Sequence, residues 1–333
     1  MLFTIVMDVT TPCLVDADQI QYPSMQLNRV LVIGLGQLGL PVAKYIKQRG
    51  GFDVYGYDIS SKAMDRAQTT AGIKKATNFS DFDVYILCIS THKAEDMFSP
   101  QIEGLLSIID KISKEAKNGA LVSIESTIPK GTSKKVFEML NHRLHVAHAP
   151  HRWYALEEQE HGVNQVRVIG GVCDCCLKVA MYFYDGRSEN MNNSSSSSSS
   201  SNEEKSKAKS LGIPMHPVSD IEIAELAKII ENADRYLQIA FAEDLYIYCQ
   251  ANNISFPELR DAVNTKWNVH ILEPREGIGG HCLPKDTKMF LQSSKSIKSK
   301  ILQAAIEVDQ DYRRYRQARE IKEIDQNSFL QSI

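Results

Sequence analysis

The segment GIGGHCLPKD, residues 277–286, places one thiol just after a glycine-rich turn and an aspartate four residues further on. A buried structural cysteine has no need of glycines beside it. A nucleophile that a substrate must approach closely does. Cys282 is therefore the candidate nucleophile, and Gly277, Gly279 and Gly280 are the residues that would admit the substrate. A thiol in that role forms a covalent intermediate and splits one difficult reaction into two easier steps. Lys228 and Asn232 form a second pair of interest. Four residues apart in a helical pattern, they share one face. A lysine and an asparagine on one face can address an oxyanion together, although a solvent-exposed face is the commoner reason for a lysine.

A third cluster is rich in glycine rather than in titratable groups. RVLVIGLGQLGLPVAKYIKQRGGFDVYGYD, residues 29–58, switches period part-way. Val30–Ile33 is a short apolar run of the kind found in buried parallel strands. Gly34, Gly36 and Gly39 follow as G-x-G-x-x-G, and Leu38, Val42, Ala43 and Ile46 continue at helical spacing. Val54–Tyr57 forms a second strand that ends at Asp58. In this arrangement the first glycine makes the tight turn, the second lets backbone approach a pyrophosphate, and the third lets helix pack on strand. Helix amides hold the phosphate. An acid at the end of the second strand takes the ribose hydroxyls and favours NAD over NADP.

These groups need a scaffold, and the alternation of the chain supplies one. Apolar strands are predicted at 83–91, 120–127, 145–150 and 166–171, with a helix at roughly 101–117 between the first two. Strands alternating with helices predict a Rossmann-type doubly wound parallel sheet. Thr91 and Thr127 end strands at its ligand-binding edge; an ordinary strand-end cap would explain either. Residues 188–210 include eight consecutive serines, Ser194–Ser201, which cannot bury apolar surface. They read as a flexible insert before a last strand at 211–219. Ser219 and Glu222 have capping-box spacing and open a long helix without glycine or proline to Asn252. A second box, Ser255 to Glu258, opens another helix. The expected organisation is an extension at 1–24 (Met25 being an alternative start), a sheet domain at 25–218, and an all-helical domain at 219–333. Apolar residues crowd several faces of the long helix, which points to a homodimer.

The whole chain bounds the remaining choices. Its 333 residues are 43% hydrophobic, with 38 basic and 41 acidic residues, so no nucleic-acid footprint is present. No apolar run reaches the ~20 residues that span a bilayer, and MLFTIVMDVTTPC lacks the basic start of a signal peptide. Seven cysteines without a repeating frame argue against a secreted disulfide scaffold and fit a reducing cytoplasm. Cys173, Cys175 and Cys176 form a CDCC cluster with no matching second pair and no histidine at finger spacing. The expectation there is structural or accidental, with no metal.

GLGQLGLP, STIPKGT, AELAKIIEN, AFAEDL and GIGGHCLPKD together resemble the UDP-glucose/GDP-mannose dehydrogenase family, over about residues 28–318 apart from the serine insert. GGHC followed by proline resembles its UDP-N-acetylhexosamine (mannosamine-type) branch. The resemblance implies oxidation of a sugar C6 alcohol to a carboxylate with two NAD. By that resemblance Cys282 forms the thiohemiacetal and thioester, Lys228 and Asn232 stabilise the oxyanion, Asp286 orients or activates water, and Thr127 assists near C6. Gly34, Gly36, Gly39, Asp58 and Thr91 bind NAD with Lys285 nearby, while Gly277, Gly279 and Gly280 contact the sugar. Two departures stand out. The family has Pro-Glu where this chain has Pro150-His151; His151 would then be the base for hydrolysis. Only about 47 residues follow Asp286, against a further nucleotide-binding domain in the family, so a separate chain is one expected source of the UDP site. Two alternatives are a two-electron β-hydroxyacid dehydrogenase, which needs no cysteine, and a non-catalytic NAD-binding protein.

Overall fold

The computed structural model describes residues 13, 27–92, 96, 99–152, 162–186, 210–280, 282–293 and 299–330. Apart from Cys13 and Ser210, the expected extension and the serine insert lie outside the described residues. The chain forms two compact units. The first takes residues up to Thr91 and Gln101–Lys228; the second takes His92–Pro100 and Ile229 onward.

The first unit is built on strands β1 (Arg29–Ile33), β2 (Asp53–Tyr57), β3 (Lys74–Lys75), β4 (Val84–Leu87), β5 (Leu121–Ile124), β6 (His145–His148), β7 (Arg167–Gly171) and β8 (Met215–Pro217). They form one sheet in the order β3-β2-β1-β4-β5-β6-β7-β8. The apolar runs read as strands because both faces are buried. Val30, Val32, Val84 and Ile86 enter one core; Leu31, Ile33, Tyr85 and Leu87 enter the other. Helices α1 (Gly39–Arg49), α2 (Ser61–Ala71) and α5 (Asp174–Tyr184) cover the first face. Helices α3 (Glu103–Glu115) and α4 (Thr132–Met139) cover the second. In α3 the buried residues Leu105, Ile108, Ile109 and Ile112 follow the stripe of an amphipathic helix.

The doubly wound, mainly parallel sheet is as expected, with two local differences. The sheet is not parallel throughout, since β7 runs antiparallel to β6 and β8 then returns parallel to β7. A strand buried on both faces shows the same apolar run in either direction, so pattern alone does not encode its sense. The helix-opening box is also shifted. Helix α6 (Ile221–Ala251) is capped by Asp220, whose carboxylate accepts the Glu222 amide at 3.0 Å. Glu222 instead pairs with Lys130 at 2.7 Å and Lys134 at 3.0 Å.

Glu225, fully buried on α6, does more for the first unit. Its two oxygens accept the Gly131 and Ser133 amides at 2.6 and 2.7 Å, closing the N-terminus of α4. Burial pushes this carboxyl above its ordinary pKa, and the hydrogen bonds oppose that push.

At 1.5 Å per residue, the 31 residues of α6 extend about 46 Å from the first unit into the second. The second unit adds α7 (Phe256–Asn264), α8 (Cys282–Ser293) and α9 (Lys300–Leu330). Ser255 stands at the N-cap of α7 but makes no side-chain cap bond. Tyr236, Ala240, Ile278 and Ala305 make one small core; Ala242, Cys249, Phe256 and Ile271 make another. Among the described residues no helix is long and apolar enough to cross a membrane.

Replacing Glu225 with alanine leaves two amides at the start of α4 without their acceptor. The expected loss in urea unfolding is about 1–3 kcal/mol, and Glu225→Gln, which keeps one acceptor, loses less. An alanine variant as stable as the wild type contradicts the capping role.

Candidate active site

In the first unit the glycine turn is set by two steric demands and one open position. Gly34 has φ of +88°, and a Cβ there would lie 2.5 Å from the Cys88 carbonyl oxygen. A Cβ on Gly39 would lie 1.7 Å from the Gly34 carbonyl oxygen, so only glycine lets α1 start this close to β1. Gly36 faces open space. The strand order reverses between β1 and β4, which opens a crevice at their carboxyl ends. Asp58, at the end of β2, accepts the Leu35 amide at 2.7 Å and the Ser60 amide at 2.8 Å. Thr91, past β4, donates its hydroxyl to the Thr127 carbonyl at 2.7 Å, joining the ends of β4 and β5. A free cradle at Gly36, a helix N-terminus and an acid one strand away fit a dinucleotide.

Beside this edge lies a buried ionic cluster. Glu125, past β5, is inaccessible to solvent and faces four partners. Arg167 Nη1 lies 3.2 Å from its Oε1. The Tyr184 hydroxyl donates to the same oxygen and itself meets the Ser123 hydroxyl at 2.7 Å. His151 Nε2 bonds Oε2, and the Cys88 thiol approaches that oxygen at 3.8 Å. Burial alone would raise the Glu125 pKa, but the charges of His151 and Arg167 and the bonds from His151 and Tyr184 hold it at about 2. Burial, then the charge of Arg167, brings His151 down to about 4 despite Glu125; Lys228 acts in the same direction. At neutral pH the pair is thus a carboxylate and a neutral imidazole. Nε2–H donates to Glu125, and Nδ1 has no hydrogen-bond partner among the described residues.

In the second unit Cys282 is exposed and forms the first residue of α8, the end of a helix that favours negative charge. Asp286, one turn along and buried, accepts the Asn232 amide and pairs with Lys285 at 3.0 Å. Asn232 therefore holds Asp286, and the Lys285 ammonium, expected near the cofactor, lies on that same carboxylate. Among the described residues, the preceding loop is anchored through the Ile278 backbone. Asp309 accepts the Ile278 amide at 2.8 Å, and Arg313 donates to the Ile278 carbonyl at 2.8 Å. Gly277, with φ of +96°, has no room for a Cβ beside Arg313, whereas Gly279 and Gly280 face open space. Lys228 is half-buried on α6 in the first unit.

Sequence reasoning missed Glu125, Arg167, Tyr184 and Asp309. Arg167 left a signal, since it is the one charged residue in the apolar run VRVIGG. The others sit among residues that look unremarkable in sequence.

Two models of one family match the chain. Its NAD binding domain matches residues 63–186 and its central domain residues 222–311. The chain belongs to the UDP-glucose/GDP-mannose dehydrogenase family. A UDP-N-acetyl-D-mannosamine dehydrogenase of Methanococcus maripaludis is 26% identical over 311 residues, covering 87% of this chain and 66% of the relative. One from Campylobacter jejuni is 28% identical over 318 residues, covering 85% and 72%. The solved structure of the Pyrococcus horikoshii UDP-D-ManNAc dehydrogenase superposes with a TM-score of 0.71 at 25% identity, covering 90% of this chain and 72% of that one. The chain spans about two thirds of the length of these relatives.

Two outcomes follow from the geometry. Gly36→Ala should fold like the wild type and lose NAD affinity by roughly tenfold or more, because its Cβ fills space left for the pyrophosphate. Gly39→Ala should instead lower the melting temperature; equal behaviour of the two in calorimetry contradicts the assignment. His151 and Glu125 are both depressed in the folded state, so the unfolded chain takes up protons first as pH falls. The stability supplied by His151 is whole above its ordinary 6.5 and is lost as pH drops to about 4. The loss from Glu125 follows, from 4.5 towards 2. Buried His148, lowered to about 3 by desolvation, adds to the same acid loss. His151→Gln should flatten the stability slope between pH 6.5 and 4; an unchanged slope overturns the neutral-imidazole assignment.

Proposed function

We propose that this chain carries out the NAD-dependent oxidation of the C6 alcohol of a nucleotide sugar, of the UDP-N-acetylmannosamine kind, to the uronate. The carrying observation is the thiol site: Cys282 stands exposed at the head of α8, after two glycines that face open space, with Asp286 fixed by Asn232 one turn further on. The family membership and the names of the relatives support the same reading. NAD held at the glycine turn supplies the hydride acceptor, one molecule for each of two oxidations.

The residues then divide the work. The alcohol first becomes an aldehyde. The Cys282 thiolate adds to its carbon, forming a C–S bond, and the carbonyl oxygen gains a proton as a thiohemiacetal. Loss of a second hydride and that proton leaves the thioester. Water adds to the thioester carbon, the C–S bond breaks, and carboxylate and thiolate are released. Lys228 stabilises negative charge on the reacting oxygen. Asn232, through Asp286, positions the group that orients water, and Thr127 assists at C6. His151 is the base for hydrolysis, with Glu125 fixing its tautomer and leaving Nδ1 to accept a proton.

The active form is a homodimer through α6. Ile223, Ile230, Phe241 and Tyr248 are all exposed in the single chain, at 47, 46, 58 and 56%. At ~100° per residue their spacings bring all four onto one face. An apolar stripe of this length favours a second copy of the same helix.

NADH formed per sugar is the test of the reaction, with NAD in excess and UDP-N-acetylmannosamine, UDP-N-acetylglucosamine and UDP-glucose compared. Two NADH per sugar with the mannosamine compound, lost in Cys282→Ala, is expected. No NADH with any nucleotide sugar, despite NAD binding, overturns the reading. For the dimer, Phe241→Glu should sediment as a monomer where the wild type sediments as a dimer; a monomeric wild type contradicts it.

A further inference from the structure

The CDCC segment holds three cysteines in sequence, and the folded chain brings a fourth to them. Cys13 joins Cys173, Cys175 and Cys176, and the four Sγ atoms all lie within 4.8 Å of one another. Cys173 Sγ is 3.0 Å from Cys175 Sγ and 3.2 Å from Cys176 Sγ. Around one zinc ion with bonds of about 2.3 Å, tetrahedral sulfurs stand about 3.8 Å apart. The observed spacing suits a single ion. An iron–sulfur cube interposes several irons and sulfides and spreads its thiolates much further.

The surroundings are those of a thiolate site. Cys173 is the N-cap of α5, and Cys175 and Cys176 lie in its first turn, where the helix end favours negative charge. The Val146 amide of β6 donates to Cys176 Sγ at 3.4 Å. The His145 ring nitrogen Nδ1 lies 3.8 Å from Cys175 Sγ. The side chains are half-buried or buried, and Cys175 and Cys176 form part of a sheet core. A disulfide between Cys175 and Cys176 is disfavoured: trans-linked neighbours have Cα atoms about 3.8 Å apart, shorter than the usual disulfide range of roughly 4.4–6.8 Å. Simple apolar packing accounts for buried thiols but not for four sulfurs converging on one point.

We propose that Cys13, Cys173, Cys175 and Cys176 bind one zinc ion in a closed, four-thiolate structural site. With four protein ligands the ion has no open position for substrate. Its effect is to tie residue 13 to the start of α5 and to close the long stretch of chain between them. The site stands apart from the chemistry assigned to Cys282 and does not depend on it.

The full chain, kept reduced and offered zinc, should retain one zinc per chain by mass spectrometry after gel filtration. Exchange to cobalt should give strong sulfur-to-metal charge-transfer absorption with the visible bands of a tetrahedral ion. That spectrum separates this site from the Cys88–Glu125–His151 group, which offers a single thiolate. Cys13→Ser and Cys175→Ser should each weaken binding by roughly 100-fold or more. Substoichiometric zinc in the wild type, a cobalt spectrum lacking multiple-thiolate charge transfer, or a disulfide joining any two of the four after zinc is offered would overturn the proposal. The wild-type spectrum decides even if a variant fails to fold.

Discussion

The first unit is organised around one buried carboxylate. Glu125 lies where β5 ends, and its partners come from β7, from the last turn of α5 and from the segment after β6. A carboxylate removed from water costs several kcal/mol unless its lone pairs are met. Here Arg167 balances the charge while Tyr184 and His151 satisfy the oxygens. Each partner is itself buried, so losing one strands the others. That mutual dependence fixes the ends of four elements at the edge of the sheet where Asp58, Thr91 and the glycine turn also lie.

The second unit solves a different problem with a similar device. Its thiol must be exposed, yet the loop that presents it cannot be loose. Asp309 and Arg313 on α9 grip the loop through the Ile278 backbone, and Tyr236 of α6 donates to Asp309 at 3.3 Å. The gripped side leaves no space at Gly277, and the opposite side leaves Gly279 and Gly280 open. Firm anchoring with one open face suits the nucleophilic role proposed for Cys282, because a misplaced nucleophile loses most of its advantage.

Some of this was legible in the sequence for definite physical reasons. Gly34 and Gly39 of the turn answer two distinct steric demands and Gly36 leaves open space, so their spacing carries the local structure. Helix α6 was visible because nothing in it breaks a helix. The thiol loop was visible because Cys282 sits beside glycines that have no packing role. What was hidden depends on residues brought together from far apart. Glu125 reads as an ordinary strand-end acid until Arg167 and His151 are placed beside it. Ser219 and Asp220 are both good caps, and only the backbone decides between them. The fourth thiol, Cys13, lies so far from residues 173–176 that no spacing rule connects them.

The role proposed for His151 is the point where the proposed mechanism is most exposed, because its imidazole is buried against Glu125. In the proposed mechanism Cys282 carries the sugar as a thioester and His151, oriented by Glu125, serves its hydrolysis. Mass analysis of acid-quenched His151→Gln enzyme during turnover, with peptide mapping, tests it directly. The expected result is a uronoyl group on Cys282 after a burst of two NADH per active site, with little adduct in the wild type. A burst variant without any adduct on Cys282, or a His151→Gln enzyme that turns over at the wild-type rate, would contradict it.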